Sequence, residues 1–373
     1  MPLVAYGIAA HDVHQTIEAL IRQMVNMRDE KGTLLLKLED GRVIDTKGWN
    51  GWEWTHGIGL YGLWKYHSLT GSPVALSVIE SWFAARSAEG GTTKNINTMA
   101  AVLSLAILYE KSKKQIYLPW LESWAEWAMY ELPRTKFGGM SHMTYDNPNA
   151  QELWDDTLMM TVLPLAKTGI LLNRPEYVEE AKLQFLIHLQ YLFDPESGLF
   201  FHGWTFADGG HHFAMALWAR GNSWLTIAIP ELLELLDLPL NDSFRVHLIR
   251  VLEAQCQALI KHQEPDGMWR TLVDQPVHEG SYAESSATAG FAFGILKALR
   301  LRYIRGEEYK ESAIKAVKAV LVRVNTNGEL LDVSFGTAMG FTLQHYKDIE
   351  KTSMPYGQAM AIMALSEFLR LFI

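Results

Sequence analysis

The feature that most constrains this fold is a repeat of paired apolar helical segments. Apolar residues recur at three- and four-residue steps over Ile58 to His67, Pro73 to Ala88, Thr98 to Tyr109, Leu118 to Tyr130, Thr157 to Leu172, Pro175 to Leu192, Ser223 to Leu236, Ser243 to His262, Ser286 to Arg302, Glu307 to Val324 and Gln358 to Leu369. The first member of each pair is rich in Ala, Gly and Met and poor in charge. The second carries Lys, Glu and Arg along one side. An inner helix buried on all sides, followed by an outer helix with one wet face, produces that contrast. Glycine-bearing turns such as Lys136-Phe-Gly-Gly-Met140 and Glu264-Pro-Asp-Gly-Met-Trp269 separate the segments, and the unit recurs at intervals on the order of 60 residues. Inner helices are expected to start near Gly57, Thr98, Asp156, Gly221, Ser286 and Tyr356. Helix pairs of that number, closed on themselves, form an all-α (α/α)6 barrel, a six-hairpin toroid. An open α-solenoid is the alternative. Closure is favoured because the repeats stop near six and neither end carries a polar capping repeat. No linker, low-complexity tract or break in composition divides residues 1–373, so one toroidal domain is expected.

Composition narrows the function. The chain is 49% hydrophobic with a formal net charge of -9 and no long basic run. That excludes a nucleic-acid partner and a basic membrane-surface helix. No apolar window approaches the ~18 residues of a membrane span. The first residues, Met1-Pro2-Leu3-Val4-Ala5-Tyr6-Gly7, lack the charged and apolar regions of a signal peptide. The lone cysteine, Cys256, permits no intrachain disulfide and suits a reducing compartment. A cytoplasmic protein is expected. Its 13 Trp, beside 14 Tyr and 15 Phe, serve core packing but also offer flat apolar faces to sugar rings.

In a closed toroid the loops that enter the inner helices converge at one end, and polar and aromatic residues gather there. Trp52-Glu53-Trp54-Thr55-His56 precedes the first inner helix and Asn95-Ile96-Asn97 the second. Trp154-Asp155-Asp156 precedes the third, His202-Gly203-Trp204 and Trp218-Ala219-Arg220 the fourth, and Glu284-Ser285-Ser286 the fifth. Asp155-Asp156 is the sharpest anomaly. Two adjacent carboxylates open an apolar helix, where burial of charge is costly unless the group is paired or stays protonated. One of them could cap the helix, but capping needs only one. A carboxylic acid kept protonated is what proton transfer requires. Glu284 fits a cap and a site equally. Arg220 fits recognition of an anion, or a structural carboxylate. His211-His212 follows two glycines without completing a metal-ligand spacing, so no metal or other cofactor is expected. Ordinary glycoside hydrolysis uses two carboxylates. Only Glu53 and Glu284 could supply a second one.

Trp52-Glu-Trp-Thr-His56-Gly57, Trp154-Asp-Asp156, His202-Gly-Trp204, Trp218-Ala-Arg220, Asp266-Gly-Met-Trp269, Glu284-Ser-Ser286 and Gly336-Thr-Ala-Met-Gly-Phe341 stand in the order found in glycoside hydrolase family 105. These are the unsaturated rhamnogalacturonyl hydrolases, related to the unsaturated glucuronyl hydrolases of family 88. The resemblance runs across nearly the whole chain. It implies an (α/α)6 barrel, a metal-free reaction and a small oligosaccharide substrate that ends in a 4,5-unsaturated uronic acid left by a polysaccharide lyase. It also implies that Asp156 protonates C4 of the double bond and that water adds at C5. Arg220 is then expected on the uronate carboxylate, with Trp54, Trp204 and Trp218 as ring platforms. His56, His142 and His202 are expected on sugar hydroxyls, and Glu284 in substrate binding. Relatives can carry Asp where this chain has Asn97. Asn transfers no proton, so Asn97 is expected to orient substrate or Asp156. The competing readings are a toroidal polysaccharide lyase, a sugar epimerase using His56 and His202, and a non-catalytic α-solenoid that binds protein.

Overall fold

A computed structural model describes residues 3–373. In chain order the helices are α1 (Ala10–Asn26), α2 (Trp54–Thr70), α3 (Pro73–Ala88), α4 (Ala100–Ser112), α5 (Leu118–Glu126), α6 (Leu163–Leu171), α7 (Pro175–Leu192), α8 (Ala219–Leu236), α9 (Ser243–His262), α10 (Ser285–Arg300), α11 (Glu307–Arg323), α12 (Leu343–Lys347) and α13 (Pro355–Phe372). Helix α2 packs on α4, α4 on α6, α6 on α8, α8 on α10, α10 on α13 and α13 back on α2. These six form a closed inner ring, and the expected toroid is what the chain adopts rather than an open solenoid. Helices α3, α5, α7, α9 and α11 each back the inner helix that precedes them.

The last hairpin is made from both ends of the described chain. Helix α1 packs on α13, and the sequence reading did not include it. Its buried face, Val13, Ile17, Leu20, Ile21 and Met24, has ordinary helical spacing. Its partner lies more than 300 residues away, so no neighbouring segment marks it as half of a pair.

The inner helices are buried on all sides because they pack close. A Cβ at Gly62 would meet Ala359 at 2.8 Å, and one at Gly57 would meet the Ala101 amide nitrogen at 2.6 Å. From Pro355 to Leu369 every residue of α13 is buried. The third inner helix begins differently. Leu158–Val162 forms a π-helical turn, with the Leu163 amide bonded to the Leu158 carbonyl, before α6. Pro164 follows at once. A proline there would press on the carbonyl four residues back, and the wider turn relieves the clash.

Strands β1 (Val4–Ala5) and β2 (Ile8–Ala9) pair ahead of α1, beside the C-terminal end of α13, where Tyr6 packs on Phe372. Other short strands trim the opposite end of the ring, where the inner helices begin. Strands β3 (Leu35–Lys37) and β4 (Val43–Asp45) form an antiparallel hairpin before α2. Strands β5 (Glu152–Trp154) and β6 (Gly203–Thr205) pair antiparallel with Trp154 opposite Gly203. That register sets Asp155 beside His202, and the Asp155 amide donates to the His202 carbonyl at 3.0 Å. No described helix is long and apolar enough to cross a membrane.

Candidate active site

A cavity of about 550 Å³ opens at this end of the ring, within the size range that buries a small ligand. Residues at or just before five of the six inner-helix starts line it: Glu53 and Trp54, Asn97, Asp156, Trp218 and Arg220, and Met354. The sixth, at α10, contributes no wall residue. The loops close the rest, with Leu34 to Leu36 at the β3–β4 hairpin, Thr144 to Asn147, and Phe335 to Met339.

Of the residues the sequence nominated, Trp54, Asn97, His142, Asp156, Trp218 and Arg220 meet on this wall. His56, His202, Trp204 and Glu284 do not. His56 is fully buried, with Nε2 2.8 Å from the Gly48 carbonyl and Nδ1 accepting the Glu53 amide at 3.2 Å. Burial pushes its pKa down to about 4, so it is a neutral structural ring. The epimerase reading thereby loses one of its two histidines. Trp204 packs among Tyr191, Phe206 and His212 behind β6. Glu284 is fully buried as the cap of α10, accepting from Ser286 Oγ at 2.8 Å, the Ala287 amide at 2.6 Å and the Ser334 amide at 2.9 Å.

Arg220 borders the cavity with both Nη groups bonded to protein, while its Nε finds no partner. Nη1 donates to the Ser334 carbonyl at 2.8 Å and to Ser334 Oγ, and Nη2 to the Phe335 carbonyl at 3.0 Å and Thr337 Oγ1 at 2.8 Å. Glu284 lies 4.0 Å away, and Trp218 and Tyr356 flank the guanidinium at 4.7 and 5.0 Å. Arg220 therefore pins the 334–337 loop to the ring. Where a direct grip on a uronate is expected, the Nη hydrogens hold protein, and the guanidinium supplies positive potential to the wall.

The two aspartates separate by depth. Neither side chain caps the helix. Asp155 is fully buried, and its carboxyl fills a notch in α8 where a Cβ on Gly221 would sit 2.0 Å from Oδ2. Burial, and then the field of Asp156, hold its pKa well above the usual carboxylate range. Asp156 faces the cavity. Burial alone would raise it too, but His202, with His142 behind it, outweighs burial and keeps it below the ordinary range. Burial thus favours the neutral form at Asp155, while His202 favours the anion at Asp156.

His202 sits between its neighbours as an orienting ring. Nδ1 is 2.7 Å from Tyr346 Oη, and Nε2 is 3.5 Å from Asp156 Oδ2. The Gly340 amide already donates to Tyr346 Oη, so the phenol proton is assigned to Nδ1, which leaves the hydrogen on Nε2 facing Asp156. Burial lowers the pKa of His202. His142 stacks on Trp154 at 4.2 Å, bonds Thr157 Oγ1 at 2.9 Å, and is pushed by burial down to about 3. Asp155, Asp156 and His202 each bring one donor atom within 4.8 Å of the others.

The Gly221 notch makes a direct prediction. Gly221→Ala should drive a methyl into the Asp155 carboxyl, cost about 1–3 kcal/mol as overpacking, and lower activity with it. Urea unfolding and turnover on the same sample check this, and an unchanged unfolding midpoint would contradict it.

The profile of Glycosyl Hydrolase Family 88 matches residues 26–372, and the chain belongs to that family of glycoside hydrolases. It is 28% identical over 324 residues to the unsaturated rhamnogalacturonyl hydrolase YesR of Bacillus subtilis, a match that covers 86% of this chain and 90% of YesR. It is 57% identical to a possible member of the GH105 family from Salmonella enterica, with a TM-score of 0.97 over 99% of this chain and 97% of that one. A possible GH105 member from Klebsiella pneumoniae is 56% identical, with a TM-score of 0.96 over 99% and 96% of the two chains.

Proposed function

We propose that this glycoside hydrolase removes a 4,5-unsaturated uronic acid, unsaturated galacturonate in particular, from the non-reducing end of lyase-generated oligosaccharides such as rhamnogalacturonan fragments. The observation that carries this reading is the Asp155–Asp156–His202 cluster, in which one carboxyl meets the cavity and burial favours the neutral form of its neighbour. Similarity to YesR over most of both chains supports the substrate class.

The chemistry follows from the vinyl ether. Its C4 is electron-rich, and protonation there creates an oxocarbenium ion centred on C5. Asp155 and Asp156 hold one proton between them, as closely placed carboxyls do. The substrate carboxylate enters the cavity and disfavours the ionised form of Asp156, which takes the proton and delivers it to C4. Water adds to C5 as Asp156 recovers a proton from it. The hemiketal opens and expels the second sugar. His202 holds the Asp156 carboxylate in place, Trp54 offers a ring face, and Asn97 hydrogen-bonds to substrate without moving a proton. A single carboxylate at the reacting carbon suffices because no direct displacement occurs at the anomeric centre.

The test is a panel of lyase-generated disaccharides, with unsaturated galacturonyl-rhamnose, another unsaturated galacturonide and an unsaturated glucuronide, followed by loss of the ultraviolet absorbance of the double bond. Loss is expected, fastest for galacturonyl-rhamnose. No loss on any member would overturn the assignment.

A further inference from the structure

Two inner helices begin with a glutamate cap, and the two caps differ in what surrounds them. Glu284 is enclosed by hydroxyl and amide donors, with Arg220 4.0 Å away. Glu53, at the head of α2, lines the cavity while only 3% exposed. Its Oε2 accepts the Trp54 amide at 2.7 Å, and no described cation pairs with it. Its charged neighbour is Asp146, exposed on the 144–149 loop. The other ionisable groups nearby are Tyr145 on that loop and His56 on α2, which burial keeps neutral. Asp45 of β4 and Arg86 of α3 act on His56. A carboxyl taken out of water, with no cation and a like charge beside it, takes the neutral form, and burial and Asp146 push Glu53 up to about 8.

The cavity wall poses a matching problem. It carries Glu53, Asp146, Glu152 and Asp156 against one permanent cation, Arg220, whose Nη donors hold the 334–337 loop. The Nη donors of Arg220 are spent on that loop, so an anionic sugar entering this wall gains from a donor besides them. We infer that Glu53 is a substrate-binding residue whose neutral carboxyl group donates a hydrogen bond to the carboxylate of the anionic sugar. This rests on the uronide reading above. An O–H donor to a carboxylate makes a short, charge-assisted bond, stronger than a bond between neutral groups. It also makes recognition conditional on a proton. When Glu53 ionises, the donor becomes a repelling anion, and the competent fraction of the protein falls about tenfold per pH unit.

The experiment measures KM and kcat for an unsaturated uronyl disaccharide from pH 6.5 to 9.5, with its uronate methyl ester as the uncharged comparison. For the wild type, KM for the acid should climb above about pH 8, while KM for the ester stays level. Glu53→Gln keeps a donor and the cap but cannot ionise. It should hold KM within about threefold of wild type at pH 7 and abolish the climb. Glu53→Ala should raise KM about tenfold or more at pH 7, with kcat changed less. A level wild-type KM for the acid, a climb that persists in Glu53→Gln, or an equal climb for the ester would overturn the role of Glu53 while leaving the hydrolase reading standing. Absence of turnover on every unsaturated uronide would overturn both.

Discussion

Asp156→Asn is expected to lower kcat on an unsaturated uronyl disaccharide by about 10²–10⁴-fold, the contribution typical of a positioned proton donor. Asn matches Asp in shape but can neither give a proton to C4 nor take one from water. His202 Nε2 and His142 face Asp156 from neighbouring segments, and both are neutral rings when Asp156 is removed as an anion. The substitution therefore leaves no buried charge stranded, so the fold should survive it. Binding should survive too, because Trp54, Trp218 and Asn97 remain on the wall. Steady-state kinetics with circular dichroism on the same preparation checks this. Near-normal turnover by a folded Asp156→Asn protein would remove Asp156 from the chemistry.

Arg220→Met is expected to act through the fold and to cost about 3–5 kcal/mol, the range found when one partner of a buried ion pair is removed. Arg220 and Glu284 are 1% and 0% exposed. Without the guanidinium, the Ser334 and Phe335 carbonyls and the Thr337 hydroxyl lose donors, and Glu284 loses its buried countercharge. Tyr356 Oη still bonds the Ser334 carbonyl, so the loop keeps one tie to α13. The 335–339 wall should loosen, and activity should fall together with the chemical unfolding midpoint. Arg220→Lys should rescue little, because an ammonium cannot repeat the planar fork that serves both loop carbonyls. If Arg220→Met unfolded like wild type and raised only KM, Arg220 would be a direct ligand for the uronate after all.

The fold was legible because period and charge contrast are local properties. Each inner helix betrays itself within its own dozen residues by being apolar all round, as α13 is. Helix α1 escaped because its partner lies at the far end of the chain. The site was legible in part for the same reason. The convergence of helix-entry loops brings Trp54, Asn97, Asp156, Trp218 and Arg220 to one cavity wall, because position in the repeat fixes position on the ring.

What sequence could not set was which donors each residue finds across that ring. Arg220 meets Ser334, 114 residues on, and that contact ties the residue expected on an anion to the 334–337 loop. Glu284 was balanced between cap and site, and Ser286, Ala287 and Ser334 settle it as a cap. The sequence offers one of Asp155 and Asp156 as a cap, and the structure buries Asp155 instead. The notch at Gly221 that buries it lies on another helix. The signal available for Glu53 was its place before α2 together with Asn97 where relatives can carry an acid, and its solitude in the wall appears only in three dimensions.

The most direct test of the central claim is the fate of C4 during turnover in deuterated water, followed by rapid proton NMR. Protonation by Asp156 from one fixed face predicts a product with deuterium in a single orientation at C4 from the first turnovers. Release of an intact unsaturated sugar, whose vinyl proton persists and is then lost to both faces as it collapses in solution, would contradict it.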